Sequence, residues 1–100
     1  MPLVIELRDN SGKVLGVAGE TSPSKMLPDI TGDDFRLLRG VDEYDDTVFN
    51  SLQMTWLLQE LKRLRETAGS PDQARLLDEI IGLGKQCAAM QHTYLVFLGD

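Results

Sequence analysis

The chain is short of the residues on which most catalytic and metal chemistry depends. It holds one cysteine, one histidine and one tryptophan in 100 residues. A single cysteine, Cys87, excludes an internal disulfide and any cysteine-rich zinc site. A Ser–His–Asp triad would have to use His92, and no G-x-S-x-G turn accompanies it. No apolar run approaches the ~20 residues that a membrane-spanning helix needs. The opening "MPLVIELRD" has no basic segment ahead of its apolar stretch and carries Glu6 within it. That argues against a secretory signal and for a cytoplasmic protein. Basic residues are also few, ten against sixteen acids, for a net charge of −6. Nucleic acid and anionic membrane are therefore not expected partners, since both demand a basic surface.

What is present suits one domain spanning residues 1–100. Hydrophobic residues make up 42% of the chain, enough for a single core. "LVIEL" (3–7) alternates in the period of a half-buried strand. "DNSG" (9–12) is turn chemistry, and "KVLGVAG" (13–19) returns, so a β-hairpin is expected over 3–18. Residues 19–34 carry Pro23, Pro28, Gly19 and Gly32 among small polar residues, so a loop is expected there. "FRLLRGV" (35–41) then reads as a third strand, with Phe35, Leu37 and Val41 on one side.

From Asp46 the apolar period becomes helical. Phe49, Leu52 and Trp56 form one ridge, and Met54, Leu57, Leu58, Leu61 and Leu64 another, predicting a helix over about 47–67. "AGSP" stops it. Ser70 as N-cap, Pro71 at the first helical position and Gln73 three residues beyond the cap open a second helix, over about 71–90. Its inward positions are expected to be Leu77, Ile80, Ile81, Gly84, Cys87 and Ala88. A connection this short makes the two helices an antiparallel hairpin. A register setting Leu64 near Ala74 brings Trp56 to Gly82 and Gly84, so the indole is expected in the groove those glycines open. The unbroken apolar run Tyr94–Leu98 predicts a central strand. The expected fold is α+β: a four-stranded sheet (N-terminal hairpin, third strand, C-terminal strand) covered on one face by the helical hairpin.

The acidic stretch "VDEYDD" (41–46) is the candidate site. Between Asp29 and Asp46 stand seven acids and two arginines, a net of −5. Three readings apply. Asp46, or Asp45, caps the first helix. A divalent metal binds, although an EF-hand is ruled out because the loop lacks its glycine and Gln53 stands at position twelve from Asp42. Or Asp42, Glu43, Tyr44 and Asp45 form a partner-binding patch, with Tyr44 as its aromatic anchor. "GLGK" (82–85) fails as a phosphate loop, because Glu79 replaces the first glycine and Gln86 follows Lys85. Cys87 fits a buried inert thiol, and His92 a solvent-exposed imidazole at the last helix–strand junction.

"DEYDDTVFNSLQ" and the closing "YLVFLGD" resemble a family of small uncharacterised bacterial proteins. The family shares a D-x-Y-x-D-T-V-F-N-x-L-Q helix start and a carboxy-terminal aromatic strand. Asp42, Tyr44, Asp46, Thr47, Val48, Phe49, Asn50, Leu52 and Gln53 carry the likeness. It implies a bacterial source, with Asp46 as cap and Phe49 as core anchor, and no particular activity.

These observations point to a non-enzymatic protein-interaction module without a cofactor. Its most concrete form is an inhibitor or immunity-type protein whose carboxylates meet a basic protein. The alternative is a structural homo-oligomer, associating through a sheet face lined by Val4, Val14 and Leu38. A divalent-metal-dependent protein ranks third.

Overall fold

The structure is a computed structural model that describes residues 4–19, 35–41 and 45–98. Strands β1 (Val4–Asp9) and β2 (Val14–Ala18) form the expected hairpin. Asp9 organises its turn. One carboxylate oxygen accepts from the Ser11 hydroxyl at 2.6 Å, the Ser11 N–H at 2.9 Å and the Lys13 N–H at 3.0 Å. Gly12 supplies the left-handed backbone, with φ +89°. The Ser11 hydroxyl first, and then the Lys13 N–H, hold the Asp9 carboxyl below the ordinary carboxylate range. A depressed value means that this contribution is present above the ordinary range and fades as pH falls through the lowered one.

The third strand is not at 35–41. It is β3, Thr47–Asn50, within the segment expected to begin the first helix. Thr47 and Val48 are β-branched and Phe49 is aromatic, a composition that favours a strand. Pairing with β4 (Thr93–Leu98) decides the matter: Phe49 lies opposite Leu95, and its ring meets Phe97 edge-on at 5.5 Å. Residues 35–41 instead contain a 3-10 turn at Leu38–Gly40. Phe35 and Leu38, three apart, both enter the core, which is turn spacing rather than strand spacing.

The sheet order is β2-β1-β4-β3, antiparallel throughout, so β4 is central as expected. Helices α1 (Met54–Glu66) and α2 (Pro71–Ala89) cover the face bearing Ile5, Leu7, Phe49, Leu95 and Phe97. Met54, Leu57, Leu61 and Leu64 of α1 and Leu76, Leu77, Ile80 and Cys87 of α2 are fully buried. Each buried leucine contributes roughly 1.5–3 kcal/mol over its exposed state. Ile81 is half-buried and Ala88 is exposed, so the inner face of α2 is centred nearer Leu76 and Leu83 than expected. Ser70 caps α2, its hydroxyl accepting from the Gln73 N–H at 3.2 Å. The Gln73 side chain reaches back to the Gly69 N–H at 2.7 Å, one residue beyond a standard capping box.

Helix register differs from expectation by about one turn. Arg65 bonds Asp78 at 3.1 Å, and Leu58 lies on Gly84. Trp56 is thereby carried away from the glycines and is 60% exposed.

No helix among the described residues lies on the opposite sheet face. Paired residues share a face, so Val17, Glu6, Val96 and Val48 form one row across the four strands. Val14, Arg8, Tyr94 and Asn50 form the next, and Val4 and Leu98 a third. Val4 and Val14 are on this face as expected; Leu38 is not, being 1% exposed in the core.

Candidate functional site

Of the acidic candidates, Asp42, Glu43 and Tyr44 lie outside the described residues. Asp45 is exposed, and its carboxylate accepts from the Asp46 N–H at 3.0 Å. Neither Asp45 nor Asp46 caps the first helix, because β3 intervenes. The cap is Asn50. Its side chain accepts from the Gln53 N–H at 3.0 Å, while the Gln53 side chain accepts from the Asn50 N–H at 2.8 Å. This reciprocal pair starts a 3-10 turn, Ser51–Gln53, that runs directly into α1. Asn50→Ala should cost about 1 kcal/mol, measured by urea unfolding with an unchanged slope. The N-x-x-Q spacing was present in the sequence, hidden by the more conspicuous acids upstream.

The cap fixes which way α1 faces. With Met54, Leu57, Leu61 and Leu64 turned to the core, Leu52 and Trp56 fall one turn apart on the outside, 79% and 60% exposed. They are the two most exposed large hydrophobic residues among those described. Two hollows flank them. One, of about 320 Å³, has Leu52 as a wall together with Asn50, Ser51, His92 and Tyr94. The other, of about 380 Å³, is formed by Trp56, Gln53, Arg36, Leu37 and Glu60.

Glu60 holds the second hollow in shape. It is 6% exposed, and its carboxylate accepts the Leu37 N–H at 3.1 Å and the Leu38 N–H at 3.0 Å. A helix side chain thus fastens residues 35–41 onto α1 and sets Arg36 beside Trp56. In the first hollow His92 occupies the left-handed region, with φ +62°, a conformation histidine tolerates better than most residues. It turns the chain from α2 into β4, helped by the Thr93 hydroxyl, which donates to the Met90 carbonyl at 2.6 Å.

No hydrogen bond joins His92 to Ser51 or Tyr94. No group of three His, Cys, Asp or Glu side chains is placed to hold a metal ion among the described residues. Cys87 is buried, and desolvation pushes its thiol up, partly offset by the Thr93 hydroxyl. No helix among the described residues is long and apolar enough to cross a membrane. Compared with protein families, curated proteins and solved structures, the chain has no match.

Proposed function

We propose that this domain is a non-enzymatic interaction module for a basic protein partner, of the inhibitor or immunity type, anchored through Leu52 and Trp56. The exposure of those two residues carries the reading. A leucine and a tryptophan one helical turn apart, each beside a hollow, match the anatomy of an interface hot spot. The sign of the partner comes from charge. Arg36 and Leu37, which wall the Trp56 hollow, lie within the 29–46 segment that carries a net −5. A chain of net charge −6, most of it carried by this segment of the sequence, attracts a basic protein more readily than an acidic one. Asp42, Glu43, Tyr44 and Asp45 belong to the same segment of the sequence and remain its candidate partner-binding residues in this reading.

The test is a photocrosslinking amino acid at position 52, introduced into the protein in its source cells. One discrete adduct is expected, with a basic polypeptide. The purified pair should bind more weakly as salt rises, and Trp56→Ala should weaken it at least ~30-fold, the scale of a hot spot. An acidic partner, or an affinity indifferent to Trp56, overturns the proposal.

A further inference from the structure

We infer that the sheet face bearing Val14, Val17 and Val48, which no helix among the described residues covers, is a self-association surface on which a second copy of the chain packs face to face. An antiparallel sheet with one solvated face normally alternates apolar-in with polar-out. Here the outer rows are apolar as well. Val14, Val17 and Val48 are 42%, 41% and 54% exposed around a buried Val96, and Glu6, Arg8, Asn50 and the Tyr94 hydroxyl are the polar groups among the described residues of those rows.

The two charges select the occupant. Glu6 and Arg8 stand two apart on β1, half-buried and bonded to each other, with Arg8 Nε donating to Glu6 Oε1 at 2.8 Å. A partner carrying charge of one sign would leave one of the pair opposite a like charge, which is costly once water is excluded. A surface bearing both signs at the same spacing does not. A two-fold axis between the sheets, crossing β1 at Leu7, sets Glu6 of each copy against Arg8 of the other. Four charges then alternate in sign at the centre of an apolar contact, with the strands near the aligned packing angle common to sandwiches.

Size sets the strength. Four strands ~4.8 Å apart and about five residues of ~3.3 Å each give a footprint of about 300 Å². Over both faces that is about 600 Å², below the size of standard specific interfaces, so the dimer is weak and transient rather than permanent. Each copy also carries a net charge of −6, so the dimer tightens as salt rises, opposite to the response expected for a basic partner.

Sedimentation velocity of the full chain, up to about 1 mM and at low and high salt, tests this. The mass should climb from 11.1 kDa toward twice that value, more readily in high salt. Val48→Lys should raise the dissociation constant at least tenfold without lowering the unfolding midpoint, and Trp56→Ala should leave it unchanged. Glu6→Arg alone should weaken the dimer, and Glu6→Arg with Arg8→Glu should restore it. A chain that stays at 11.1 kDa throughout, or a dimer indifferent to Val48→Lys, refutes the inference. So does a dimer lost on Trp56→Ala. Since the partner-binding surface is tested through Trp56 and this one through Val48 and Glu6, either can fail without the other.

Discussion

Replacing Glu60 with alanine is expected to cost about 3 kcal/mol, because a buried carboxylate accepting backbone N–H groups contributes about 1.5–3 kcal/mol per charged hydrogen bond. The Leu37 and Leu38 N–H groups lose their acceptor, and Leu38 is 1% exposed, so water does not readily replace it. Urea unfolding reads the global loss. Trypsin reads the local one, since Arg36 and Arg39 are exposed on the segment that Glu60 fastens. Cleavage after those arginines should accelerate in Glu60→Ala more than in a control of equal global stability. Glu60→Gln keeps one acceptor oxygen and should fall between the two. If Glu60→Ala unfolds at the wild-type midpoint, the docking of residues 35–41 rests on Phe35 and Leu38 alone.

The second large effect is at Gly84. A Cβ there would stand 2.8 Å from Leu58 Cδ2, 3.6 Å from Leu58 Cγ and 3.7 Å from Met54 Sδ. Alanine is nearly neutral, because the end of the Leu58 side chain can give way and the gain in helix propensity, about 1 kcal/mol, offsets the shift. Leucine adds three further carbons where none fit. Overpacking of roughly 1–3 kcal/mol at the upper end of that range outweighs the propensity gain, for a net loss of about 2 kcal/mol. Gly82 is the internal control: nothing lies within 4 Å of its would-be Cβ. Gly82→Ala should therefore stabilise by about 0.5–1 kcal/mol, and thermal unfolding of the three variants should separate them by sign.

Elements that declare themselves locally were legible in the sequence. Asp9–Gly12 dictates its turn, Ser70-Pro71 opens α2 whatever surrounds it, and Tyr94–Leu98 has no polar break, as a central strand requires. The missed features depend on partners far away in sequence. Thr47–Asn50 becomes a strand because β4 offers an edge, not because four residues could hold that form alone. Residues 35–41 curl because a carboxylate more than twenty positions later accepts their N–H groups. Trp56 was misplaced for a different reason. Leu52, Trp56 and the true core stripe form one broad apolar arc, and periodicity does not say which edge of an arc faces out. The cap at Asn50 and the Leu58–Gly84 contact settle that: with Met54, Leu57, Leu61 and Leu64 inward, Trp56 is on the outer side of α1 and Leu58 meets the glycine in its place. The acidic segment is conspicuous in the sequence, whereas the exposure of Leu52 and Trp56 is not, because both continue the apolar helical pattern of the core stripe.

The pairing of β1 with β4 also shapes how the chain reaches this fold. Val4 lies opposite Leu98, so the two central strands come from nearly opposite ends of the described sequence. The β1–β2 turn and the α1–α2 connection are short and can close early and independently. Joining them through β4 closes a loop of some ninety residues, whose entropy is about 4 kcal/mol by the logarithmic length rule. The sheet is not continuous until that loop closes, because β1 and β4 are its two central strands and join the β1–β2 hairpin to the β3–β4 pair. The rate-limiting event in refolding is accordingly the meeting of these two strands, and the molecule should fold slowly for its size, as domains dominated by distant contacts do.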